Sequence, residues 1–83
     1  YEPPTDEEEA AMQAHFEYLK HATAAGTVLL AGPCLDETFG LIVFQAEDDD
    51  AARAFMYRDP SVQANVMMAE LHPFRLSLLG YKG

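Results

Sequence analysis

The sequence predicts an α+β domain on three observations. A capped run of good helix formers fills residues 5–25, two short apolar runs suited to paired strands occupy residues 27–46, and a second acid-capped helical stretch follows at once. At 83 residues the chain makes one small domain. A domain of this size buries a modest share of its unfolded surface and often leans on a partner chain.

Glu2-Pro3-Pro4 is an extended lead, and Thr5 with Glu8 three positions later fits a capping box, so the first helix should begin at Asp6. Asp6 to Glu9 place negative charge at the positive end of the helix dipole, a sufficient structural cause for an acidic run that would otherwise suggest a metal site. Helix formers continue to Ala25, and Gly26 supplies the stop. Met12, Phe16, Leu19 and Thr23 fall on one stripe, with His15 at its border. A border histidine can reach a cleft while contributing little packing, and histidine as a residue type exchanges protons near neutrality.

Thr27–Ala31 reads as a strand ended by Gly32-Pro33, with a loop from Cys34 to Phe39. Gly40–Ala46 reads as a second strand, Leu41 and Val43 on one face and Ile42, Phe44 and Ala46 on the other. Both faces are apolar. Helices of so small a domain can cover only one of them, so the strand predicts a homodimer packed sheet to sheet through Val43 or Phe44. Asp48 to Asp50 begin a second helix ending near Arg58, with Ala51, Ala52, Phe55 and Met56 as its buried stripe. Asp59-Pro60 breaks it, and Ser61 to Asn65 add one more turn that Asn65 closes. Val66–Leu71 and Phe74–Leu79 look extended, interrupted at His72-Pro73.

The order helix, strand, strand, helix, strand lacks only an initial strand to make a ferredoxin-like βαββαβ unit. A central strand of about 6 to 10 apolar residues before Tyr1 is therefore expected in the natural polypeptide. Failing that, the segment Leu76–Leu79 would fill the central position.

Composition narrows the function. With 14 acidic against 5 basic residues and a formal charge of −9, the chain repels phosphate backbones and anionic membrane surfaces, so neither nucleic acid nor membrane is an expected partner. The single cysteine, Cys34, excludes an internal disulfide and fits a cytoplasmic protein. No apolar run approaches the roughly 20 residues of a membrane span. His15, His21, His72 and Cys34 lack ligand spacing, so no metal is expected, and no cofactor either. No cation neighbours Cys34 in sequence to activate its thiol, and Met56, Met67 and Met68 read as core or interface filler.

His15 with Tyr18-Leu19, then Gly26, Ala31-Gly32-Pro33, Gly40 opening a strand, Ala51-Ala52-Arg53-Ala54, Asp59-Pro60 and His72-Pro73-Phe74 together resemble the YCII-related proteins over most of the chain. The resemblance implies a dimeric α+β barrel with a small cleft in each protomer and a histidine–aspartate pair as its catalytic group. His15 and Asp59 match that pair, and Tyr18, Gly32 and Pro33 are the positions expected at the substrate pocket. Asn65 stands where the family has glycine, a change asparagine tolerates because it also enters the left-handed region. Read from the residues alone, Asp59 before proline is a helix cap, and the two roles can coexist. The function this implies is a cofactor-independent enzyme performing acid–base chemistry on a small organic molecule, of lyase, isomerase or hydrolase type. The alternatives are a non-catalytic dimeric ligand-binding or accessory domain and, third, a cofactor-free monooxygenase-like barrel.

Overall fold

A computed structural model describes residues 2–80 of the chain. Its elements run α1 (Asp6–Ala24), β1 (Val28–Pro33), β2 (Gly40–Phe44), α2 (Asp49–Tyr57) and α3 (Pro60–Gln63). This is an α+β arrangement with one two-stranded antiparallel sheet among the described residues.

Helix α1 begins with a complete capping box: the Glu8 N–H donates to Thr5 Oγ1 at 3.1 Å and the Thr5 N–H donates to Glu8 Oε1 at 2.9 Å. It ends in a Schellman motif, Thr27 N–H donating to the Ala22 carbonyl and Gly26 N–H to that of Thr23. Gly26 carries the required positive φ of 85°.

The packed face of α1 differs from the expected one. Ala11 is its buried residue, and His15, Tyr18 and Ala22 continue that side part-buried, whereas Met12 and Phe16 stay 40% and 64% exposed. The helix sets this side, small at Ala11 and Ala22, against α3, where backbones can come close, meets α2 through the Tyr18 side chain, and leaves its large apolar stripe at a groove.

Gly32-Pro33 was expected to halt the first strand, but β1 runs through both residues, and Pro33 pairs with Gly40. The Cys34 N–H donates to the Phe39 carbonyl at 2.8 Å. Bonded and non-bonded pairs alternate along an antiparallel ladder, so Pro33 falls at a non-bonded position where its missing N–H forfeits nothing. A bulge at Leu29 then changes the facing of the strand: Val28 lies opposite Phe44, while Leu30 lies opposite Val43. Val28 is thereby 2% exposed on the helix side, and Leu30 goes to the other face with Leu41 and Val43. On the helix side Phe44 stacks on Phe55 at 4.5 Å between ring centroids, and Phe55 meets Tyr18 at 5.1 Å.

The strands expected at Val66–Leu71 and Phe74–Leu79 are not formed; residues 68–80 have no regular structure. Extended chain becomes a strand only where an edge pairs with it. Here Phe74, Leu76 and Leu79 border instead a cavity of about 360 Å³ together with Leu30, Leu41 and Val43 of the sheet. The expected segment before Tyr1 lies outside the described residues.

Candidate functional site

The site is built where α2 hands over to α3. Helix α2 starts on the Asp48 cap, whose carboxylate accepts the Ala51 N–H at 2.7 Å, and ends at Tyr57. The residue before Pro60 cannot stay helical, so Asp59 swings out to an extended conformation and caps α3. Asn65 closes that short helix at φ 58°. The turn points the Asp59 side chain inward, at α1, where it is only 7% exposed.

The two oxygens of Asp59 serve different neighbours. Oδ1 accepts the Ser61 N–H at 2.9 Å and the Ser61 hydroxyl at 2.8 Å. Oδ2 accepts from His15 Nδ1 at 2.6 Å, across 44 residues of sequence. An ionised carboxylate has no proton to give, so this contact puts the imidazole proton on Nδ1. In the neutral ring Nε2 then carries the lone pair, and no residue among those described hydrogen-bonds to it. The His15 side chain is 15% exposed, enough to meet a ligand and too little to be washed by bulk water.

His15 lines a groove of about 1020 Å³ between α1 and the hairpin. Met12, Phe16 and Leu19 line it from the helix, and Gly32, Pro33 and Ile42 from the sheet. Cys34, Lys20 and Glu37 also border it. Tyr18 does not, contrary to its expected place in the pocket. Its hydroxyl donates to the Phe55 carbonyl at 2.7 Å, on the packed side of α1. Burial there, with the Asp59 carboxylate as a second cause, raises its pKa, and nearby Arg58 partly offsets them. Asp59 stays behind His15 and reaches a ligand only through it.

Sequence reading passed over Ser61. The clue was Asp59-Pro60-Ser61 itself: an aspartate cap draws in the N–H two residues on, which carries that serine's hydroxyl to the same oxygen. Ser61 is 0% exposed, and its Oγ lies 3.2 Å from His15 Nδ1. Serine, histidine and aspartate thus meet, but not as a nucleophile triad. In such a triad the hydroxyl faces the ring nitrogen remote from the carboxylate and opens to substrate, whereas Ser61 sits on the carboxylate side and is sealed.

The profile of the YCII-related domain matches residues 1–75. The chain belongs to the YCII-related family. Neither the curated proteins nor the solved structures held a match to it. In this YCII-related chain His72 is exposed and hydrogen-bonded to Glu70 at 3.2 Å, and His21 is exposed at the end of α1. Among the described residues no three His, Cys, Asp or Glu side chains converge as a metal cage. No described helix is long and apolar enough to cross a membrane.

Proposed function

We propose that this YCII-related protein is an enzyme in which His15 moves a proton on a small organic molecule held in the groove, with Asp59 orienting the imidazole. The observation that carries the reading is the 2.6 Å contact between His15 Nδ1 and the buried Asp59 carboxylate, at the wall of that groove. Nε2 takes a proton from a carbon or oxygen of the substrate, or in hydrolysis from an attacking water, the imidazolium formed is stabilised by the adjacent carboxylate, and the same nitrogen returns the proton at another atom or to a leaving group. Lyase, isomerase and hydrolase steps share that requirement. The apolar walls supplied by Met12, Phe16 and Ile42 suit the nonpolar part of such a molecule.

A second reading, a dimeric ligand-binding or accessory domain, draws support from the same walls, since a mostly apolar groove can hold a ligand without chemistry. The larger architecture we propose is the family's dimeric barrel, with α1, β1, β2 and α2 as the middle of a βαββαβ unit.

The test is a panel of small metabolites screened by thermal shift, the stabilising compounds then being assayed for turnover. His15→Asn keeps an N–H for Asp59, its amide nitrogen standing where Nδ1 stands, while removing the base. The enzyme reading expects bound compounds to be converted by the wild type and turnover to disappear in His15→Asn with binding retained. Conversion that survives His15→Asn rules it out, and binding without conversion favours the accessory domain.

A further inference from the structure

Ser61 is wholly buried, polar, and takes no part in the proton transfer just described. Its hydroxyl has two acceptors in reach, Asp59 Oδ1 at 2.8 Å and His15 Nδ1 at 3.2 Å. Were it to donate to Nδ1, that nitrogen would present a lone pair to Asp59 Oδ2 at 2.6 Å, two acceptors in contact. The hydroxyl proton therefore goes to Oδ1 and a lone pair of Oγ turns to the Nδ1–H. With the Ser61 N–H at 2.9 Å, one residue supplies two donors to one carboxylate oxygen, and the other oxygen is left to His15 alone.

We propose that Ser61 is a positioning residue: its hydroxyl holds the Asp59 carboxylate so that the His15 proton stays on Nδ1 and Nε2 stays free as the base. The proposal rests on His15 being the acid–base group. With the hydroxyl gone, Oδ1 keeps only the backbone N–H, the carboxylate rotates about that single bond, and Nδ1 loses a fixed acceptor. Both ring tautomers then become populated.

The test reads the tautomer directly, by 15N NMR of the His15 ring nitrogens in the neutral state, with no substrate needed. The wild type should show the proton on Nδ1. In Ser61→Ala the ratio of Nδ1–H to Nε2–H forms should fall about fivefold, the worth of one ordinary hydrogen bond. Ser61→Cys fills the same space with a much weaker donor and should fall likewise. A ratio within twofold of the wild type in both variants overturns the proposal, as does Ser61→Cys restoring the wild-type ratio while Ser61→Ala does not, because volume and not the hydroxyl would then be responsible. If Ser61→Ala does not fold, the Ser61→Cys ratio decides alone, an unchanged value overturning the proposal. For any compound the wild type turns over, kcat should fall with KM unchanged, since Ser61 does not border the groove. The enzyme reading stands or falls separately, on turnover in His15→Asn.

Discussion

Asp59 caps a helix with one oxygen and holds an imidazole with the other, and that division separates the effects of its substitutions. Asp59→Asn keeps an oxygen for the two Ser61 donors, so stability measured by urea unfolding should stay within about 1 kcal/mol of the wild type. Its amide nitrogen, however, would donate to His15 Nδ1 and drive the ring proton to Nε2. Activity should then fall by at least about a hundredfold, the low end of what a general base supplies. Asp59→Ala removes both functions and leaves the Ser61 hydroxyl and the imidazole without their acceptor, for a loss of about 3 kcal/mol. His15 is less dispensable to the fold than a border position implies. His15→Ala strands Asp59 Oδ2 in a site 5% exposed and should cost about 1–3 kcal/mol, an effect that His15→Asn lessens by keeping an N–H at that position. The two residues were legible in the sequence because each carries a chemical signature of its own. Ser61 was not, since its role exists only once the cap has formed. Tyr18 was misplaced for a related reason: it is three residues from His15 and shares its side of α1, but spacing along a helix cannot say which flank is packed and which is open.

At the level of elements, local chemistry was readable and long-range pairing was not. Thr5, Glu8, Gly26, Asp48, Asp59 and Asn65 act within a few residues of themselves, and each stands at the boundary that its type implies. The bulge at Leu29 and the course of the tail depend on partners distant in sequence, which no window of residues contains. The capping box gives a direct test of the local part. The bonds from Thr5, first the backbone N–H and then the hydroxyl, lower the pKa of the Glu8 carboxyl. A group whose value is lowered by folding stabilises the folded state above its unfolded value and ceases to do so as pH falls through the folded one. The start of α1 should therefore loosen below the usual carboxylate range, and the protection of the Glu8 and Glu9 amides against exchange, relative to the unfolded chain at the same pH, should fall there. Glu8→Gln, which keeps an acceptor but does not titrate, should reduce that pH dependence to what Asp6, Glu7 and Glu9 contribute through the helix dipole. Thr5→Ala should cost about 1 kcal/mol at neutral pH.

At the scale of the whole molecule, the described residues contain little core: Ala11 and Val28 are the buried apolar side chains among them. The sheet's outer face keeps Leu30 at 48% and Leu41 at 49% exposure even with Phe74, Leu76 and Leu79 bordering the same cavity. A domain with so small an interior gains stability most readily by burying that face against a second copy. The structure also divides the two residues that the sequence offered as contacts. Phe44 stacks on Phe55 within one chain, whereas Val43 faces outward beside Leu41 and Leu30. Light scattering at micromolar concentration should therefore give a dimer for the wild type and a monomer for Leu41→Asp or Val43→Asp. Phe44→Ala should instead lower the unfolding free energy, by about 2–3 kcal/mol for a part-buried ring, and leave a dimer wherever the chain still folds. A wild-type monomer would mean that the tail suffices to cover the sheet. A dimer that survives both aspartate substitutions would place the contact elsewhere, the groove beside Met12 and Phe16 being the other broad apolar surface, and occupancy by a partner there would close off His15.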